Sequence, residues 1–286
     1  MPTARTLIGE AAAACRASPF IESPGDRRDE VEYLLHFVMQ RPTTDEEPIQ
    51  GPVLARFRRL VARRVAGEPI EYLTGEATFR GLTLQVGPGA FIPRPSSGFL
   101  AEMAIERVKE LPEPIVVDVG TGVGPVALSC AAEMPAAEVY GVDMSAKALA
   151  FARRNARSLG LSGVRFLRGD LFEPLPRKLR QRVNVVAAHL PYAAQWEMRH
   201  VRYEFTYEPA DAITDSSKRG LSLLRRFVSE APAWLAPGGW LLVEVVDYRA
   251  RDVATLYRKA GFQGVRHLHA KGEYDRIIAG QLPDAT

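Results

Sequence analysis

The chain has 286 residues, 47% of them apolar and 25% charged, with a formal net charge of only +3. That length suits one large domain beside a smaller one, and the composition is that of a globular protein rather than a disordered or fibrous one. Two cysteines, Cys15 and Cys130, cannot build a disulfide framework or a metal centre, and a charge this mild gives no basic footprint for nucleic acid.

Residues 1–75 read as a small helical domain. The opening "MPTARTLIGEAAAACRAS" lacks a charged head, a clean apolar run and a cleavage site. It is therefore expected to be a first helix and not a signal peptide, in a cytoplasmic protein. The longest apolar stretches fall short of a membrane span. "RDEVEYLLHFVMQ" sets Val31, Leu34, Leu35 and Val38 at helical spacing, and "GPVLARFRRLVARRVAGEP" repeats the pattern with Leu54, Phe57, Leu60 and Val61. The proline-rich "RPTTDEEPIQGP" connects them. Residues 76–98 change period. Leu82, Leu84 and Val86 alternate between glycine turns, which predicts a linking β-hairpin.

Residues 99–286 alternate strand and helix, the pattern of a mostly parallel sheet wrapped by helices. "IVVDV", "EVYGV", "VRFLRG", "VNVVAA" and "WLLVEVV" are the strands. "SAKALAFARRNARSLG" is a helix opened by Ser145 and closed by Gly160. "GLSLLRRFVSEAPAWLAPGG" is expected to hold another. The tail "GVRHLHAKGEYDRIIAGQL" reads as two antiparallel strands around a Gly-Glu turn at the edge of the sheet.

The chemistry concentrates at strand ends. "VVDVGTGVGPVAL" spaces Gly120, Gly122 and Gly124 as G-x-G-x-G, with Pro125 where a dinucleotide fingerprint needs its third glycine. The loop admits a ligand close to its backbone but is not shaped for a pyrophosphate. Asp118 would repel a phosphate and favour an ammonium group. Asp143 can accept two ribose hydroxyls, and Asp170 an adenine amino group, with Leu171 against the ring. A ligand with an amino-acid end and a nucleoside end satisfies all of these.

With these residues in place, the chain resembles the HemK/PrmC family of S-adenosylmethionine-dependent protein-glutamine N5-methyltransferases along almost its whole length. "GEPIEYLTGEATFRGLTLQVGPGAFIPRP", "DVGTGVG", "YEPADAI", "RGLSLLRRF", "WLAPGGWLLVEV" and "DRII" carry the likeness in that order. The resemblance implies a Rossmann-like class I methyltransferase sheet, a substrate-recognising helical domain, and S-adenosylmethionine as cofactor with S-adenosylhomocysteine as product. It places Asp118, Gly120, Thr121, Gly122, Gly124, Asp143, Met144, Asp170, Leu171 and His189 at the cofactor. Two motifs depart from the family. Its Asn-Pro-Pro-Tyr is His189-Leu190-Pro191-Tyr192 here, and its Arg-Pro-(acid)-Thr-Glu is Arg94-Pro95-Ser96-Ser97-Gly98. The catalytic loop is then His189, Pro191 and Tyr192. Arg94, Ser96, Ser97, Tyr192, Trp196 and Glu208 are expected on the substrate side, with Glu204 also placed to face it.

Histidine can accept one amide N–H as asparagine does, but unlike asparagine it can also carry a proton away. Change in both substrate-side motifs favours a small-molecule substrate, such as a phenol in natural-product tailoring, with His189 as general base. The alternatives are a release-factor glutamine N5-methyltransferase, a cyclase that closes a ring at a sulfonium-linked methylene, and a non-enzymatic cofactor- or RNA-binding module. Nucleic acid ranks low, and no metal is expected.

Overall fold

In the computed structural model, which describes residues 1–22, 25–269 and 275–284, the chain divides into two compact units. One is Met1–Glu76 with His200–Glu208; the other is Ala77–Arg199 with Pro209–Thr286.

The first unit is built on helices α1 (Ala4–Arg16), α2 (Arg28–Met39), α3 (Gly51–Val65) and the short α4 (Ile70–Thr74). Thr3 caps α1 by accepting from the Thr6 amide. The apolar stripes seen in the sequence close on one another, burying Leu7, Ile8, Cys15, Leu34, Leu35 and Phe57. A charged side chain, Arg64, is buried in this unit too. Arg64 is 3% exposed and donates to Glu30 of α2 and to Glu204, the latter at 2.6 Å. A buried guanidinium needs carboxylates, and residues 200–208 return to supply the second. Tyr203 of the same segment packs on Phe20 with ring centroids 4.6 Å apart. Its ring also covers Gly67, where an added Cβ would meet it at 2.7 Å. Periodicity alone assigned 200–208 to the catalytic part; its own contacts place it with the helices.

The second unit opens with the hairpin β1 (Glu76–Phe79) and β2 (Leu82–Gln85). Arg80 and Gly81 between them both have positive φ, the two-residue turn that suits strand twist. Then follow α5 (Ser97–Val108), β3 (Ile115–Val119), α6 (Pro125–Glu133), β4 (Glu138–Asp143), α7 (Ala146–Ser158), β5 (Arg165–Arg168), β6 (Val183–Ala188), α8 (Ser222–Glu230), β7 (Leu235–Val246), α9 (Asp247–Lys259), β8 (Gln263–Leu268) and β9 (Asp275–Gln281). Pro125 starts α6, where its missing N–H is no loss. Ser145 caps α7 as expected.

The large sheet has the order β5-β4-β3-β6-β7-β9-β8. Its first five strands are parallel, and β9 runs antiparallel to both β7 and β8. One apolar layer sets Phe227, Tyr257 and Val253 against the sheet; the other sets Leu100, Leu128 and Leu149 against its opposite face. The tail is antiparallel as read, but β9 is not at the edge. Ile277, Ile278 and Ala279 are buried, whereas β8, "QGVRHL", is polar and largely exposed. The more apolar strand therefore takes the inner place and leaves β8 at the rim. The Gly272-Glu273 turn lies outside the described residues. Among the described residues no helix is long and apolar enough to cross a membrane.

Candidate functional site

Strand order reverses at β3, which lies between β4 and β6. A crevice must open there at the carboxyl ends of the strands, and in open α/β sheets ligands bind in that crevice. The loops after β3, β4, β5 and β6 line it.

The glycine loop is tied down from β4. The amides of Gly120 and Thr121 both donate to the Val142 carbonyl, at 2.8 and 3.0 Å. Gly120 has φ +76°, and a Cβ on it would sit 2.9 Å from Leu190 and 3.2 Å from the His189 carbonyl oxygen. Glycine thus lets the loop lie directly against the start of the His-Leu-Pro-Tyr segment. Gly122, φ +56°, would meet nothing within 4 Å; its open side faces the crevice it lines.

Two carboxylates end β3 and β4 in fixed poses. Asp118 is 2% exposed, and its Oδ2 accepts from the Thr121 hydroxyl at 2.6 Å and the Ala127 amide at 3.2 Å. Burial pushes its pKa up to about 7 against the pull of those two donors. Asp143 accepts from the Gly122 amide through Oδ2 and from the Ser145 amide through Oδ1, both at 2.8 Å. Burial raises its pKa too, and nearby Asp211 adds to the rise. Leu171 reaches the crevice with φ +47°, a left-handed backbone that costs a branched residue about 1–2 kcal/mol. Asp170 lines the same wall, but its Oδ2 accepts from the Arg226 guanidinium at 2.9 Å.

His189 stands just past the end of β6. Its Nδ1 is 3.2 Å from the Ser97 hydroxyl and 3.5 Å from Oε2 of Glu244 on β7. Phe91 meets its ring edge-on at 5.9 Å, and Tyr192 stacks at 5.9 Å with planes 22° apart. The Arg94 guanidinium lies 4.4 Å over the Phe91 ring. The fold therefore gathers Arg94, Ser97, Asp118, Gly120, Thr121, Gly122, Asp143, Met144, Asp170, Leu171, His189 and Pro191 around one crevice, with Tyr192 stacked behind His189.

Besides Tyr192, five of the expected residues lie outside this lining. Gly124 is at the start of α6, where a Cβ would press on Leu128 and Phe166, so packing explains its glycine. Ser96 precedes α5 outside the lining. Trp196 is 59% exposed and forms no wall of the crevice. Glu204 pairs with Arg64, and Glu208 is buried in the helical unit. Ser97, expected on the substrate side, is buried and bonded to the imidazole. Phe91, Asp211 and Glu244 were not anticipated. A visible signal existed for Glu244, a lone carboxylate inside the apolar run "WLLVEVV". Among the described residues no group of His, Cys, Asp and Glu is arranged to hold a metal ion.

Comparison with known proteins adds the following. Residues 112–280 match the family described as "Methyltransferase domain", and residues 11–75 match "PrmC N-terminal domain". The release factor glutamine methyltransferase of Burkholderia pseudomallei is 37% identical over 99% of this chain and 100% of its own. That of Bordetella pertussis is 36% identical over 92% and 97%. Among solved structures, the 16S rRNA N2 G1207 methyltransferase of T. thermophilus in complex with AdoMet and guanosine is 19% identical. It superposes with a TM-score of 0.54 over 72% of this chain and 49% of that one, a likeness of fold.

Proposed function

The chain belongs to the HemK/PrmC family of S-adenosylmethionine-dependent methyltransferases, and from that premise we propose that it methylates the side-chain amide nitrogen of a glutamine in a peptide-chain release factor. The observation that carries this reading is end-to-end relatedness: proteins named for that activity align with both the helical and the catalytic parts. The relatives lend no support to a small-molecule or ring-closing role. A release-factor substrate also puts the protein's work in the cytoplasm. The helical unit is then the part that recognises the protein substrate.

The crevice fits the cofactor by its own chemistry. Asp143 is held by two backbone amides with its carboxylate at the crevice wall, ready for a ribose diol. Asp118 supplies a buried carboxyl whose ionised form an ammonium group would favour, Gly122 leaves an open side, and Leu171 offers an apolar face for a ring. S-adenosylmethionine supplies the methyl as an electrophilic sulfonium carbon and leaves as S-adenosylhomocysteine.

An amide nitrogen is a poor nucleophile because its lone pair is delocalised, so the site must orient it. With Nδ1 directed at Ser97 and Glu244, His189 has Nε2 left for the substrate. A neutral imidazole protonated at Nδ1 accepts an amide N–H at Nε2. When the nitrogen gains the methyl group it sheds one proton, and Nε2 takes it. Tyr192 and Phe91 give flat surfaces for the planar amide.

The test is transfer of labelled methyl from S-adenosylmethionine to a purified release factor, with the modified residue located by mass spectrometry. Label on the glutamine of the Gly-Gly-Gln loop is the expected outcome. A release factor that stays unlabelled while the protein binds S-adenosylmethionine would overturn the reading.

A further inference from the structure

We propose that Glu244 is a positioning residue: it fixes the proton of His189 on Nδ1 and balances the charge when Nε2 takes up the substrate proton. This deepens the glutamine-methylating reading and rests on it. Glu244 lies near the carboxyl end of β7, a strand between β6 and β9, and is 0% exposed. Among the described residues neither carboxylate oxygen has a hydrogen-bond partner. A buried carboxylate without a partner is among the least tolerated groups in a protein interior. The ion-pair partner found for it among the described residues is His189, at 3.5 Å from Oε2 to Nδ1. Catalytic hydrogen bonds are often long before substrate is bound and tighten afterwards. The Ser97 hydroxyl, 3.2 Å from the same nitrogen, is the second neighbour that can hold the ring.

The three residues come from three elements. His189 follows β6, Glu244 is on β7 and Ser97 begins α5. Oε2 and Oγ both lie beside Nδ1 of the imidazole, so the other ring nitrogen is engaged by neither of them. An asparagine at 189 takes up no proton, so it would draw no charge balance from this carboxylate, only an N–H···O bond from its amide. Histidine in the loop and a carboxylate behind it form one device.

The experiment uses the full chain with S-adenosylmethionine and a release factor, in the parent, E244Q, E244L and the same two changes on an H189N background. Leucine suits the apolar strand, and glutamine keeps the shape and one acceptor. In the parent background kcat should fall about tenfold for E244L and less for E244Q, short of the whole 10²–10⁴-fold that general-base help contributes. Affinity for S-adenosylmethionine should stay within twofold. On the H189N background both changes should cost clearly less. Equal losses on both backgrounds would overturn the proposal, since a structural carboxylate acts whatever stands at 189. The second readout is nitrogen NMR of histidine-labelled protein, with the His189 signals assigned by their loss in H189N. The proton should sit on Nδ1 in the parent and leave it in E244L; an unchanged tautomer would overturn the proposal even if no release factor is methylated. Failure of the function reading alone would show as no transfer by the parent with the tautomer shift intact.

Discussion

Gly120→Ala should injure both the fold and the chemistry, and Gly122→Ala only the fold and the cofactor. Both glycines have left-handed φ, +76° and +56°, so alanine at either carries the same backbone strain of about 1–2 kcal/mol. The strain cancels in the comparison. What differs is the space. A Cβ at 120 lies 2.9 Å from a Leu190 methyl, which can swing aside, and 3.2 Å from the His189 carbonyl oxygen, which moves only with the backbone. A Cβ at 122 meets nothing within 4 Å. Overpacking of this kind costs about 1–3 kcal/mol, and for a chain of this size each kcal/mol lowers Tm by about 2–4 °C. Gly120→Ala should therefore melt several degrees below Gly122→Ala. Because the shift falls on His189, and a 1 Å misplacement can cost about 10²-fold, a few tenths of an ångström should lower kcat about tenfold. Gly122→Ala should keep kcat and weaken S-adenosylmethionine binding, since its methyl enters the crevice. Differential scanning calorimetry, titration calorimetry and methyl transfer read the three quantities. If the two variants melt within a degree of each other and turn over alike, the loop does not seat the catalytic segment.

Three further outcomes are expected. His189→Ala should cut single-turnover transfer by about 10²–10⁴-fold with cofactor affinity unchanged, and His189→Asn, which keeps an acceptor, should lose less; equal rates for the two would refute a role beyond filling space. Asp118 in the folded chain titrates at about 7 rather than 3.8 because it is buried. The folded form thus holds a proton the unfolded form has lost, and parent stability should fall as pH rises from about 4 to 7, by up to about 4 kcal/mol; Asp118→Asn should flatten that slope in urea denaturation, and parallel curves would speak against it. Arg64→Ala leaves Glu30 and Glu204 without their shared cation and should cost about 3–5 kcal/mol, with Arg64→Met/Glu30→Gln/Glu204→Gln recovering most of it; a single variant as stable as the parent in denaturant would show the cluster to be dispensable.

Local patterns were readable wherever one residue's chemistry decided one position. Pro125, Ser145 and the acids ending β3 and β4 needed only their neighbours to be understood. Less was legible where a residue answers to a distant part of the chain. Glu204 looked like a substrate contact because nothing nearby announces Arg64, 140 residues earlier. The contact of Ser97 with His189 was not legible because it spans two elements. Gly124 shared a motif with Gly120 and Gly122, yet spacing could not show that its open side faces Leu128. The inner place of β9 follows from comparing it with β8, a contest between strands that neither reveals alone. His189 itself was legible as unusual, but the carboxylate behind it becomes meaningful only once β6 and β7 are side by side.

The return of residues 200–208 to the helical unit bears on how the protein is made. Glu204 is 140 residues beyond Arg64. At synthesis rates of about 5–20 residues per second, roughly 7–28 s pass between the two leaving the ribosome. During that interval the first helices have a guanidinium in their interior with one carboxylate instead of two, and Gly67 lacks the aromatic ring that covers it. The first part of the chain to be synthesised is therefore not the first to be finished. A fragment cut at residue 76 should stay loosely packed until a peptide spanning 200–208 is added back.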